Sequence, residues 1–133
     1  MRFTKMHGIG NDYVFVNMAQ ETVDDPAGLA RRVSARHFGI GSDGLILIEP
    51  SVTADVGMRI FNADGSEAEM CGNGIRCVAK YAWDHGLCRK EEMDVATLGG
   101  VRTVRLIIEG GAAVGATVNM GQPRLRRSEI PMT

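Results

Sequence analysis

Cys71-Gly72-Asn73-Gly74-Ile75-Arg76-Cys77-Val78-Ala79-Lys80-Tyr81-Ala82-Trp83-Asp84-His85-Gly86 is the stretch on which the fold turns. From Gly72 onward it reads as a helix, with Gly86 as its stop. Ile75, Val78, Ala79 and Ala82 share one face, and Cys77 and Tyr81 lie on a second. Only Arg76, Lys80 and Asp84 make a polar stripe. A helix this apolar around its circumference must be buried on several sides, so other elements have to wrap it.

Working outward, short strands are expected on both sides of this helix. Phe3 to Met6 and Tyr13 to Val16 flank a polar, glycine-rich turn from His7 to Asp12. Asp24-Asp25-Pro26 is helix-start chemistry. The helix that follows places Leu29, Val33 and His37 on one face and stops near Gly39. Leu45 to Ile48 and Ala54 to Phe61 read as strands, the second with Val56, Met58 and Ile60 alternating. Asn62-Ala63-Asp64-Gly65 is a turn. Beyond the central helix come Met93 to Thr97, Val101 to Ile108 and Ala113 to Asn119, joined by hairpin turns at Gly99-Gly100 and Gly110-Gly111. The expected fold is α+β, a mostly antiparallel sheet around one central helix.

Composition bounds the function. With 133 residues, 44 % hydrophobic and 23 % charged, the chain can build a globular core. A net charge of −1 without basic runs argues against nucleic acid, which needs clustered Lys and Arg. Arg124, Arg126 and Arg127 read as a solvated tail. No apolar run is long enough for a membrane span. The start, Met-Arg-Phe-Thr-Lys-Met-His-Gly, has no signal-peptide pattern, and three cysteines are an odd set. Both point to a reducing cytoplasm. The spacing of Cys71, Cys77 and Cys88 matches no zinc pattern, so no metal is expected.

Three segments are candidates for chemistry. Gly39-Ile40-Gly41-Ser42-Asp43-Gly44 matches a dinucleotide-binding string, but it lies between a helix and a strand. A pyrophosphate loop must leave a strand and open a helix, so a plain turn is the better reading. The His7–Asp12 segment also reads as a hairpin loop, although Asn11 has an amide that can bind an amino acid's polar groups. The third segment, Phe61 to Cys77, is different. Asn62, Gly72, Asn73 and Gly74 converge with the Cys71 thiol just before the apolar helix. A thiol there faces unpaired amides and the positive end of the helix dipole, which pull its pKa down from about 8.5. It can then act as base or acid. Gly72 and Gly74 bare their N–H groups for a carboxylate. Two helix glycines cost about 1 kcal/mol each against Ala, which suggests a purpose beyond folding. Cys77 lies about 9 Å up the helix and Cys88 beyond its stop; both read as packing residues.

These residues resemble a known family. Lys5 to Tyr13, His37 to Gly44, Phe61 to Cys77, Val118 to Gly121 and Ile130-Pro131 are similar to segments of the diaminopimelate epimerases. The resemblance implies a two-lobe enzyme, each lobe a curved antiparallel sheet around a helix. Residues 1–133 would be the N-terminal lobe, the C-terminal lobe being absent from this chain. It implies interconversion of LL- and meso-diaminopimelate without pyridoxal phosphate or metal, on the route to lysine and peptidoglycan. Two cysteines would flank the substrate's α-carbon, of which Cys71 matches one. Asn11 and Asn62 match substrate-binding positions, and Gly72 and Asn73 match the residues that hold the α-carboxylate. Gly44 stands where some members place Gln against the substrate.

Neither Cys77 nor Cys88 can serve as the second cysteine, so the chain alone is expected not to turn over substrate. A racemase or isomerase of another amino acid and a non-catalytic amino-acid-binding module are the rival readings. The oligomeric state is left open, a homodimer included.

Overall fold

The computed structural model describes residues 2–8, 11–35, 41–69 and 72–119, with His7, Gly8, Asn11 and Asn119 described by backbone alone. The elements run β1 (Thr4–Gly8), β2 (Asn11–Asn17), α1 (Pro26–Ser34), β3 (Gly44–Glu49), β4 (Val56–Asn62), β5 (Glu67–Ala68), α2 (Gly72–Asp84), β6 (Glu92–Thr97), β7 (Gly100–Glu109) and β8 (Ala112–Asn119). The strands form one curled sheet in the order β1-β2-β3-β4-β6-β7-β8, with β5 beside β4. All neighbours are antiparallel except β2–β3 and β4–β6.

Each parallel join has a helix in its connection, because a parallel pair cannot be closed by a tight turn. The chain from β2 to β3 passes through α1, and the chain from β4 to β6 passes through α2. The two helices sit with different cores. Tyr13, Phe15, Ile46, Ile48, Met58 and Ile60 pack with Ile75, Val78, Ala79 and Ala82 of α2. Val14, Val16, Leu45, Leu47 and Phe61 pack with Ala30 of α1. Since successive strand residues point to opposite faces, β2, β3 and β4 are sandwiched between the two helices. Leu45, Ile46, Leu47 and Ile48 are all fully buried. Burial of each such side chain contributes about 1.5–3 kcal/mol.

The expected central helix is borne out. Gly74, Ile75, Val78, Ala79, Tyr81 and Ala82 are buried, and α2 touches β1, β4, β6, β7 and β8. Lys80 and Asp84 are exposed and pair at 2.6 Å. Arg76 departs from the expected polar stripe, since it is half-buried. The chain turns away at Gly86 (φ +74°), where Leu87 N–H donates to the Ala82 carbonyl at 2.8 Å.

Other boundaries moved. Helix α1 begins as expected, with Asp25 Oδ1 accepting from Gly28 N–H at 3.1 Å and Pro26 in its first turn. It ends at Ser34, where Ala35 turns extended, well short of Gly39. His37 and Gly39 lie outside the described residues. Strand β4 starts at Val56, two residues later than the alternation suggested, and runs on to Asn62. The two-residue strand β5 had no sequence signal, being too short to show a period.

Candidate active site

Strand pairing collects one end of the sheet. Tyr13 of β2 pairs with Gly44 of β3, and Gly44 pairs with Asn62 of β4. Asn11, two residues before Tyr13, pairs with Gly8 of β1. The start of β2, the start of β3 and the end of β4 therefore form one rim, which carries Asn11 and Asn62. The rim is tightly built. Asp12 N–H donates to Asp43 Oδ2 at 2.7 Å, and Asp43 N–H donates to the Asp12 carbonyl at 2.8 Å. Lys5 Nζ donates to the Gly41 carbonyl at 2.8 Å. Ser42 is buried and its hydroxyl donates to the Gly44 carbonyl at 3.0 Å. A Cβ on Gly44 would press on the Phe61 carbonyl oxygen, so glycine lets β3 and β4 close up here.

Asn62 is exposed and its amide is held in place. Its backbone N–H donates to the Ser66 carbonyl at 2.8 Å, and its own carbonyl accepts from Gly65 N–H at 2.9 Å. Gly65 closes this turn at φ +91°, a conformation that side-chain-bearing residues avoid. Within the turn, Asn62 Nδ2 donates to Ser66 Oγ at 3.0 Å. Ser66 Oγ donates to Asp64 Oδ1 at 2.6 Å, which also accepts from Ser66 N–H at 2.8 Å. The Ser66 hydroxyl and then its backbone N–H hold the Asp64 carboxyl below the usual carboxylate range.

From this turn the chain enters β5, where Glu67 pairs with Phe61 and Ala68 with Ile60. Helix α2 begins four residues after Ala68, at Gly72, hence within about 14 Å of the β4 strand's neighbour. Glu69, just after β5, is tied to the β6–β7 turn, since Gly99 N–H donates to its carbonyl at 3.3 Å. Gly72 and Asn73 are half-buried in the helix's first turn. Their N–H groups have no acceptor four residues back within the helix, as for any helix start. Arg76 Nη1 donates to Asn73 Oδ1 at 3.3 Å, while Arg76 Nε is buried without a partner among the described residues.

Of the expected site residues, Asn62, Gly72 and Asn73 are placed in this way. Asn11 is placed at the rim by its backbone, and its side chain lies outside the description. Cys71 lies outside the described residues. Cys77 and Cys88 pack against the main core as expected. Cys88 also follows the far end of α2, about 20 Å of helix from Gly72. Among the described residues, no three His, Cys, Asp or Glu side chains gather to hold a metal ion. No described helix is long and apolar enough to cross a membrane. Sequence reasoning missed Ser66 as a partner of Asn62, Asp64 as a partner of Ser66, and Arg76 as a partner of Asn73. The Asn-x-Asp-Gly-Ser spacing was the available signal for the first pair, read only as turn chemistry.

Comparison with known proteins adds to this geometry. A family model described as diaminopimelate epimerase matches residues 3–126. A diaminopimelate epimerase of Desulfovibrio desulfuricans is 61 % identical over 132 residues, covering 99 % of this chain and 46 % of that protein. One of Acetivibrio thermocellus is 56 % identical, covering 99 % and 47 %. One of Methanococcus maripaludis is 51 % identical, covering 99 % and 48 %. The chain thus spans about half the length of the curated relatives it matches. Among solved structures, a hydroxyproline epimerase from Agrobacterium vitis superposes with a TM-score of 0.68 at 16 % identity, covering 87 % of this chain and 40 % of that one. A methylitaconate-delta-isomerase superposes with a TM-score of 0.70 at 18 % identity, covering 84 % and 35 %. At such identities the structures speak for the fold alone.

Proposed function

The chain belongs to the diaminopimelate epimerase family, and on that premise we propose that it is the N-terminal lobe of an enzyme that epimerises LL- and meso-diaminopimelate, on the route to lysine and peptidoglycan. The observation that carries the reading is the rim: Asn62 at the end of β4 and Asn11 at the start of β2 share one end of the sheet, and β5, the last strand before α2, pairs with the end of β4.

In this reading the α-carboxylate docks at the first turn of α2, on Gly72 and Asn73, where the positive end of the helix dipole favours negative charge. Cys71, one residue before the helix, acts as thiolate. It takes the α-proton as an S–H bond forms, and the electron pair left on the α-carbon spreads into the carboxylate. Inversion requires that a proton return from the opposite face. A cysteine of a C-terminal lobe supplies it and becomes the new thiolate. The chemistry asks for no pyridoxal phosphate and no metal. Neither Cys77, packed against the core, nor Cys88, past the far end of α2, can take the second role. The substrate contacts are those of Asn11 and Asn62.

Exchange of the α-proton in deuterated solvent tests this. In the full-length protein, Cys71→Ala is expected to lower epimerisation by about 10²–10⁴-fold. The 133-residue chain alone is expected to show no inversion, and addition of the separately made second half to restore it. Full epimerisation by the isolated chain, or undiminished turnover in Cys71→Ala, would overturn the proposal. Preference of the full-length protein for proline, glutamate or lysine over diaminopimelate would overturn the substrate.

A further inference from the structure

Resting on the reading of Asn62 as a substrate contact, we propose that Ser66 and Asp64 are positioning residues that fix which end of the Asn62 amide faces the ligand. An amide side chain is ambiguous by itself, since its oxygen and nitrogen ends have nearly the same shape. Here the proton inventory decides. The Asp64 carboxylate can only accept hydrogen bonds when ionised. The Ser66 hydroxyl spends its one proton on Asp64 Oδ1 at 2.6 Å, the shorter of its two contacts. It can therefore only accept from Asn62, and Asn62 must present Nδ2 to it, at 3.0 Å. A reversed amide would set the Asn62 oxygen against a hydroxyl oxygen with no proton left to share.

The carboxylate is ionised throughout the neutral range, because the Ser66 hydroxyl and backbone N–H stabilise its charge. Arg31 of α1 donates from Nη1 to the Asp64 carbonyl at 3.4 Å and lends further positive charge. Charge at Asp64 thus polarises Ser66, and Ser66 orients Asn62. The result is an exposed Asn62 with its Oδ1 lacking a partner among the described residues and one Nδ2 proton unspent. That pair, one acceptor and one donor side by side, suits the zwitterionic end of an amino acid. Asn62 meets the ligand without having to select between two amide orientations first.

Steady-state epimerisation by the full-length protein tests the relay. Ser66→Ala is expected to raise KM about tenfold, the worth of one misdirected hydrogen bond, with kcat and the thermal midpoint little changed. Ser66→Thr, which keeps the hydroxyl at an exposed position, should restore KM to near wild type. The double variant Asn62→Ala/Ser66→Ala should be no worse than Asn62→Ala, because Ser66 acts only through Asn62. A wild-type KM in Ser66→Ala while Asn62→Ala is impaired would overturn the relay and leave the substrate contact standing. Additive losses in the double variant would do the same. A wild-type KM in Asn62→Ala would overturn the substrate contact itself.

Discussion

Strands β2, β3 and β4 and strands β6, β7 and β8 belong to one sheet, yet they solve the burial problem differently. The first set is covered on both faces, by α2 on one and α1 on the other. In β2 and β3 the sequences are accordingly unbroken apolar runs, Tyr13-Val14-Phe15-Val16 and Leu45-Ile46-Leu47-Ile48. The second set is covered on one face. Met93, Val95, Val104 and Leu106 are buried, while Glu92, Asp94 and Arg105 between them are exposed. Ile107 is 52 % exposed and Val114 57 % exposed on that set. The doubly covered section ends in the rim that carries Asn11 and Asn62, so the candidate site stands on the more tightly clamped part of the sheet. Binding geometry is held best where packing fixes the backbone from both sides.

This contrast can be broken experimentally. The largest effect is expected in the sandwiched section. Leu47 is 1 % exposed, and Leu47→Ala should destabilise by about 2–5 kcal/mol in chemical denaturation. A loss below about 1 kcal/mol would mean that the α1 face is loosely packed.

An intermediate effect is expected at the seam between the sections. The β4–β6 ladder has only two residue pairs, Val56 with Val95 and Gly57 with Ala96. Asp55 reinforces it: its Oδ2 accepts from Asp94 N–H at 2.8 Å and its carboxylate pairs with Lys90 at 3.0 Å. The Asp94 N–H, with the Lys90 ammonium behind it, holds the Asp55 carboxyl below its usual range against the opposing effect of burial. A lowered folded-state pKa means stability that is present above about pH 4 and lost as pH falls through the folded value. Denaturation midpoints should therefore drop below pH 4, and Asp55→Asn should flatten that drop while costing about 1 kcal/mol at neutral pH. An unchanged acid profile in Asp55→Asn would remove this clip from the account.

The smallest effect is expected on the open face. Ile107→Thr should change stability by no more than about 0.5 kcal/mol. A larger loss would show that something covers β7 and β8 in the full-length protein.

Legibility followed the same divide. The strands and the central helix could be read because period and composition are local properties. The Asp25-Pro26 helix start was equally plain, since capping acts within one turn. The α1 stop was misplaced because the glycine used to mark it lies beyond the point where Ala35 leaves the helix. Strand β5 was invisible because its two residues are defined only by their partner, β4. At the site, Asn62, Gly72 and Asn73 were picked out by residue type and by resemblance. The roles of Ser66 and Asp64 were not, because a turn motif looks the same whether or not it orients a neighbour.

What the chain's own residues determined was the kind of element at each place, the apolar helix that demands a wrapping sheet, and the family. Only the tertiary structure decided which strands run parallel, which face each helix covers, and that Asn11 and Asn62 lie along one rim of the sheet. The physical reason is range. Propensity, capping and period act over a few residues, whereas strand register and proton inventory depend on groups far apart in the chain that only folding brings together.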